Sequence, residues 1–221
     1  MRRMIVSLSV LALVSFAACK KSDSPSNTAN VMFVNGTAGT TNVDVTANST
    51  KVPSGTNLAF LKGSGYQSVT AGTQNIAFVI TSLGTPLKSA STSFVAGSHY
   101  SVFAGGISTN PSIVITTDDL TAPASGSAKI RFINLSNDSL SETANVGSTA
   151  FATNITSQTA SSFTTVTPGS YTIKAGDPAN ISTVVSVAQQ INAGKIYTVI
   201  LTGTLSGSGA SGLTLTVFNN N

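Results

Sequence analysis

The segment Ala128-Lys129-Ile130-Arg131-Phe132-Ile133-Asn134 restates Ala29-Asn30-Val31-Met32-Phe33-Val34-Asn35, which lies 99 residues earlier. In the later copy a period of two sends Ile130 and Phe132 to one face of a strand, so Lys129 and Arg131 are expected to face solvent. Two further blocks keep the same order at an offset of 97. Ser68-Val69-Thr70-Ala71-Gly72 matches Thr165-Val166-Thr167-Pro168-Gly169, and residues 94–102 match residues 191–199. A period near ~100 residues is the size of an immunoglobulin-like sandwich and far exceeds a solenoid unit.

The rest of the chain after Asn30 reads as β throughout. Val31-Met32-Phe33-Val34, Ile76-Ala77-Phe78-Val79-Ile80 and Tyr100-Ser101-Val102-Phe103 are short runs rich in β-branched and aromatic residues. Asn35-Gly36, Ala71-Gly72 and Asn110-Pro111 punctuate them, and no stretch carries sustained helical periodicity with caps. The expected fold is all-β: two tandem immunoglobulin-like β-sandwich domains after a signal peptide and short tether. Their expected bounds are 29–118 and 128–221, with a linker at 119–127. In both repeats an Ala-Gly turn precedes a tyrosine by three residues. Tyr100 and Tyr197 are therefore expected as structural tyrosines, ring on the core and hydroxyl on a backbone group near the strand entry.

The start of the chain has a different character. Met1-Arg2-Arg3-Met4 is basic, and the apolar run from Ile5 to Val14 is too short for the ~20 residues that span a bilayer as a helix. These are the parts of a secretory signal peptide, assigned to residues 1–18. The exit, Ser15-Phe16-Ala17-Ala18-Cys19, resembles the lipobox of bacterial lipoproteins, with Phe16 where that pattern prefers Leu. The resemblance implies cleavage before Cys19 and lipidation of its thiol. Cys19 is the only cysteine, so no intrachain disulfide is available to it. Ordinary cleavage after Ala17 or Ala18 stays open as the rival reading. Residues 19–28 then form a polar tether off the membrane, and acyl chains on Cys19 make the membrane a partner. The expected location is the cell envelope, lipid-anchored at the outer membrane, with periplasmic and surface faces both open.

Composition limits the chemistry. Without Arg2 and Arg3 the chain has nine basic and seven acidic side chains, and charged residues are 8% of the whole against a usual ~25%. That excludes the clustered basic surface of a nucleic-acid binder. His99 is the only histidine, and its counterpart in the second repeat is Ile196, as suits a packing position. Zinc needs three or four nitrogen or sulfur ligands, so no metal and no cofactor is expected. The acids are Asp23, Asp44, Asp118, Asp119, Asp138, Glu142 and Asp177. Asp118 and Asp119, with Arg131, are candidates for an interdomain contact or a weak ion site. Ser139, in Asp138-Ser139-Leu140, fits a short O-glycosylation pattern, which a polar turn explains equally well.

The opening strand at 128–136, Asn42-Val43-Asp44-Val45, the Ala-Gly turns with a following tyrosine, and the linker beginning at Asp118 resemble the DUF4397 family of bacterial secreted and lipid-anchored proteins. The second repeat has Thr143-Ala144-Asn145-Val146 in place of the Val-Asp-Val element and so lacks the acid. The resemblance implies a fold and transfers no catalytic residue. The expected function is a lipid-anchored, non-catalytic envelope protein presenting sandwich loops or faces to a glycan or another envelope protein. A hydrolase using the loop carboxylates, and a structural spacer, are the alternatives.

Overall fold

Short apolar runs cut by Gly, Asn and Ser become strands wherever a neighbouring strand can take up their backbone groups. The computed structural model describes residues 27–139, 141–177 and 179–221. The expected signal peptide, and Cys19 with nearly all of the tether, lie outside the described residues. The first repeat comprises β1 (Thr28–Asn35), β2 (Val43–Ala47), β3 (Thr50–Lys51), β4 (Lys62–Thr70), β5 (Gly72–Ile80), β6 (Thr85–Phe94), β7 (His99–Ile107) and β8 (Asn110–Thr117). The second comprises β9 (Ala128–Asn134), β10 (Ser141–Val146), β11 (Thr149–Thr156), β12 (Thr159–Ala160), β13 (Thr164–Val166), β14 (Gly169–Gly176), β15 (Val185–Ile191), β16 (Ile196–Thr202) and β17 (Thr214–Asn219).

Each repeat folds into two stacked sheets. The first has β4-β1-β7-β8 over β3-β2-β5-β6; the second has β12-β9-β16-β17 over β11-β10-β14-β15, with β13 also on β9. The single strand β4 is thus replaced by the pair β12 and β13. β1 runs parallel to β7, and β9 to β16; the other pairings are antiparallel. The expected all-β tandem sandwich is the observed architecture. Lettered along the chain, the strand order is D-A-G-H over C-B-E-F, a different Greek-key arrangement from the A-B-E-D over C-F-G of constant-type immunoglobulin domains.

Alternation along β1 explains how the layers assemble. Val31 and Phe33 enter the core of the first sandwich with Val45, Ile76, Phe78 and Val102. Met32 and Val34 point the other way, and they are buried too. They join Phe103, Val114, Ile133, Leu135 and Ile200 in a separate apolar cluster between the two repeats. The second sandwich closes its own core around Ile130, Phe132, Ile173, Val199 and Leu201. The chain is therefore four β layers deep, with three interiors. The two middle sheets are buried on both faces, which is why β1 and β16 read as nearly continuous apolar runs.

The junction is two-fold in character. Gly106 N donates to Leu135 O at 2.8 Å, and Thr202 Oγ1 donates to Gly36 O. Gly36 and Leu135 are equivalent in the repeat alignment, and Gly106 corresponds to Gly203, next to Thr202. The same carbonyl of each repeat therefore accepts from neighbouring positions of the other, from a backbone N–H in one case and a hydroxyl in the other. The approach is close: a Cβ on Gly36 would stand 2.8 Å from both Ala104 O and Leu135 Cδ1. With a shared interior, the repeats are expected to melt together. Phe103→Ala should cost about 3–5 kcal/mol, and calorimetry should show one transition moved down as a whole, without a second endotherm.

Candidate functional site

Outward-facing residues of the two middle sheets meet in a polar ring at one edge of the junction. Asp118 directly follows β8 and is held by its own N–H, which donates to His99 O at 2.8 Å. Its carboxylate accepts from Ser101 Oγ and Tyr66 OH, each at 2.6 Å, and from Thr116 Oγ1 at 3.1 Å. Arg131, on β9, brings Nη2 to 2.7 Å from Asp118 Oδ1 and donates from Nε to Thr198 Oγ1 at 2.9 Å. Thr198 donates to Asn220 Oδ1 at 2.7 Å, and Asn220 Nδ2 returns to Tyr66 OH at 3.1 Å. The circuit closes through both repeats. The Arg131 guanidinium also lies over the Phe163 ring, 4.5 Å from its centroid. Burial works against the guanidinium's charge, and Asp118 opposes that effect. Tyr66 is pushed well above the usual phenol range, by burial first and then by the Asp118 charge.

The expectation that Arg131 faces solvent is corrected: it is 2% exposed. It does leave its own sandwich as the period of two requires, but the first repeat covers that face. Asp119 pairs with Lys129 at 2.8 Å and with Thr121, tying the linker to β9. Lys129 holds the Asp119 carboxyl far below the usual range. The tyrosines occupy equivalent corners: Tyr100 OH accepts from Val95 N at 3.1 Å, and Tyr197 OH from Asn192 N at 3.0 Å. His99 packs edge-on to Tyr66, ring centroids 5.5 Å apart.

The remaining acids among the described residues are acceptors for the chain's own donors. Asp44 takes Lys51 Nζ at 2.7 Å, Asn57 N at 2.8 Å and Thr81 Oγ1 at 2.9 Å, and Lys51 leads in holding its carboxyl below the usual range. Asp138 accepts from Ser136 Oγ and Leu205 N, each at 3.0 Å. Glu142 is buried and takes the Ser139 hydroxyl, while its second oxygen has no hydrogen-bond partner among the described residues. Burial pushes the Glu142 carboxyl up, and the Asp177 charge adds to that. Ser139 itself is 0% exposed. The O-glycosylation expected there is corrected: the folded chain does not present this hydroxyl to a transferase.

Three clefts open at the junction and at the sandwich edges. One lies between the repeats and is lined by Thr116, Thr117, Asp119, Arg131, Ser162 and Phe163. The other two occupy the same place in each sandwich, the gap between the free edges of its two sheets. In the first repeat Asn48, Lys51, Val52, Ser68, Thr70 and Gln74 line it. In the second the lining includes Phe151, Thr149, Thr165, Thr167 and Tyr171. The repeat offsets map Val52 onto Phe151 and Gln74 onto Tyr171. Neither edge cleft has a carboxylate in its lining. Sequence reasoning missed Phe151 and Tyr171, although carrying the repeat alignment through these positions exposes the exchange.

A family model for a domain of unknown function, DUF4397, matches residues 29–141 and 142–221. The chain belongs to this family. The first match runs through β9, and the second begins inside β10, so the DUF4397 matches divide the chain downstream of the linker. Curated protein sequences offer no match. Among solved structures, a carbohydrate-binding module of family CBM26 from Eubacterium rectale Amy13K, crystallised with maltoheptaose, is 8% identical at a TM-score of 0.27. That comparison covers 86% of this chain and 96% of the other. A protein described as a cell adhesion candidate, from Bacteroides eggerthii, is 11% identical at 0.22, covering 88% and 96%.

Two outcomes test the electrostatics of this DUF4397 chain. Arg131→Met leaves Asp118 buried without its cation and should cost about 3–5 kcal/mol in urea unfolding. Adding Asp118→Asn should recover most of that loss, because Met32 is the counterpart of Arg131 and Asn220 that of Asp118: the Asn220 N–H bonds Ile196 O as the Asp118 N–H bonds His99 O. For Glu142, a raised folded pKa means the native state holds the proton more tightly than the unfolded chain. Stability should fall as pH climbs from the unfolded value through the folded one. Glu142→Gln should therefore melt higher than wild type at pH 7 and equal to it near pH 4.

Proposed function

We propose that the chain is a lipid-anchored, non-catalytic protein of the cell envelope, held at the outer membrane through Cys19. In this reading it presents its sandwich edges to a glycan or another envelope protein. The observation that carries this reading is the pair of equivalent edge clefts, the first lined by hydroxyl and amide side chains with Lys51, the second by hydroxyl and aromatic side chains, and neither by a carboxylate. Such linings offer hydrogen bonds to polar groups and lack the paired carboxyls that glycoside hydrolysis needs. Asp44, Asp118 and Asp138 are occupied in holding strands and loops together. Fusion of the repeats through a third interior supports the same reading, because a rigid body displays its clefts in a fixed relation to each other. Among the described residues no helix is long and apolar enough to cross a membrane, so in this reading the acyl chains at Cys19 supply the attachment. About two chains are needed for stable anchoring.

Labelling cells with a palmitate analogue tests the anchor. Wild type should carry label and partition with membranes, and Cys19→Ala should carry none. Equal label in both sinks the anchoring claim. A glycan array probed with the soluble part, residues 27–221, should give a reproducible set of positives; an empty array together with an empty envelope pull-down leaves a passive spacer.

A further inference from the structure

We propose that the edge cleft of the second repeat is a sugar-binding site, with Phe151 and Tyr171 as its stacking surface. This rests on the reading of the edge clefts as binding surfaces and names the ligand class that one of them takes: an uncharged polysaccharide, engaged one sugar ring at a time.

The two repeats provide an internal comparison. In the first, Gln74 is buried and accepts from Asn48 Nδ2 at 2.8 Å, Asn48 Oδ1 takes the N–H of Asn75 at 2.8 Å, and Lys51 leans away to Asp44. The Asn48 amide and Gln74 Oε1 are thus committed to each other and to the backbone. In the second repeat the same positions hold an aromatic pair. Tyr171 replaces Gln74, Phe151 replaces Val52, Ala150 replaces Lys51, and Gly147 replaces Asn48. The glycine matters. A Cβ on Gly147 would meet one edge of the Tyr171 ring at 3.5 Å, and a Cβ on Gly169 would meet the opposite edge at 3.0 Å. Both edges of the ring are thus seated between residues without side chains, while the ring itself packs on the sandwich core and lines the cleft.

The groups around the rings remain available. The hydroxyls of Thr149, Thr165, Thr167 and Tyr171 make no hydrogen bond within the described residues, and the three threonines are exposed. A pyranose has a face of C–H bonds that stacks on an aromatic ring, with hydroxyls projecting from its rim. An aromatic floor with a hydroxyl rim matches both features. No charged side chain is part of the lining, which favours a neutral sugar over an acidic one. The cleft measures about 220 Å³, below the ~300 Å³ at which drug-sized pockets begin. A cleft of that size suits a single sugar ring of a longer chain.

Affinity electrophoresis of residues 27–221 through gels containing amylopectin, mannan or xylan, with polygalacturonate as the acidic control, tests the assignment. At least one neutral polysaccharide should retard wild type, and polygalacturonate should not. Tyr171→Ala and Phe151→Ala should each weaken retardation about tenfold or more. Tyr171→Phe keeps the ring and its packing and should retain most of the binding. Lys88→Ala, exposed on β6 and outside both edge clefts, should behave as wild type. The inference is overturned if no neutral polysaccharide retards the protein, if retardation survives Tyr171→Ala in a protein with a native melting curve, or if polygalacturonate alone is bound. A positive glycan array or envelope pull-down alongside any of those results leaves binding intact and removes only this cleft.

Discussion

Burial of Arg131 against Asp118 is the constraint on which the arrangement of the two repeats depends. The guanidinium and the carboxylate meet at 2.7 Å with almost no solvent contact. A pair of that kind adds little net stability relative to an apolar replacement, because both ions lose their hydration. Its effect is on register. The apolar part of the junction, Met32, Val34, Phe103, Ile133 and Ile200, is built of similar side chains on both sides and has no directional contacts of its own. Any slide that separates Arg131 from Asp118 strands two buried charges. The Tyr66, Thr198 and Asn220 contacts add direction to the same restriction, so one relative placement of the sandwiches is strongly preferred.

Much of this was legible in the sequence, and the repeat was the reason. Matching blocks at offsets of 99 and 97 correspond to matching strands, down to the parallel pairs β1 with β7 and β9 with β16. The Ala-Gly turns and their tyrosines mark corners because a left-handed glycine, at φ +77° in both Gly97 and Gly194, reverses the chain just before a buried ring. What the sequence concealed was the third interior. Period-two reasoning tells which face of its own sandwich Arg131 leaves, and it has no access to what covers that face. The clue was present in a different form: Val31-Met32-Phe33-Val34 has no polar position, as befits a strand buried on both sides. Ser139 failed for a related reason. A three-residue pattern carries no information about burial, and the hydroxyl belongs to a neighbouring carboxyl.

Candidate recognition residues were harder to read because they are exchanges within a conserved frame. Phe151 and Tyr171 keep the alternation of their strands and still contribute to the second core. A sequence scan for exposed aromatics therefore passes over them. They become visible once the repeats are superposed position by position, where the first cleft holds Val52 and Gln74. The comparison also separates the two clefts in chemistry: one carries amides bonded to each other, the other is floored by rings and edged with hydroxyls that make no hydrogen bond among the described residues.

The two-fold junction has a further consequence for how this chain arose and how far it can extend. A surface that meets its own counterpart across an axis is the surface of a homodimer, here joined into a single polypeptide. Two copies of the second repeat would set each Arg131 against an Asn220, and two copies of the first would leave each Asp118 without a cation. The charges balance only when one repeat of each kind is present. Such a contact is self-limiting, since docking one repeat consumes the face on the other. Unlike a solenoid, whose units stack through faces that differ front and back, this junction ends the series at a matched pair.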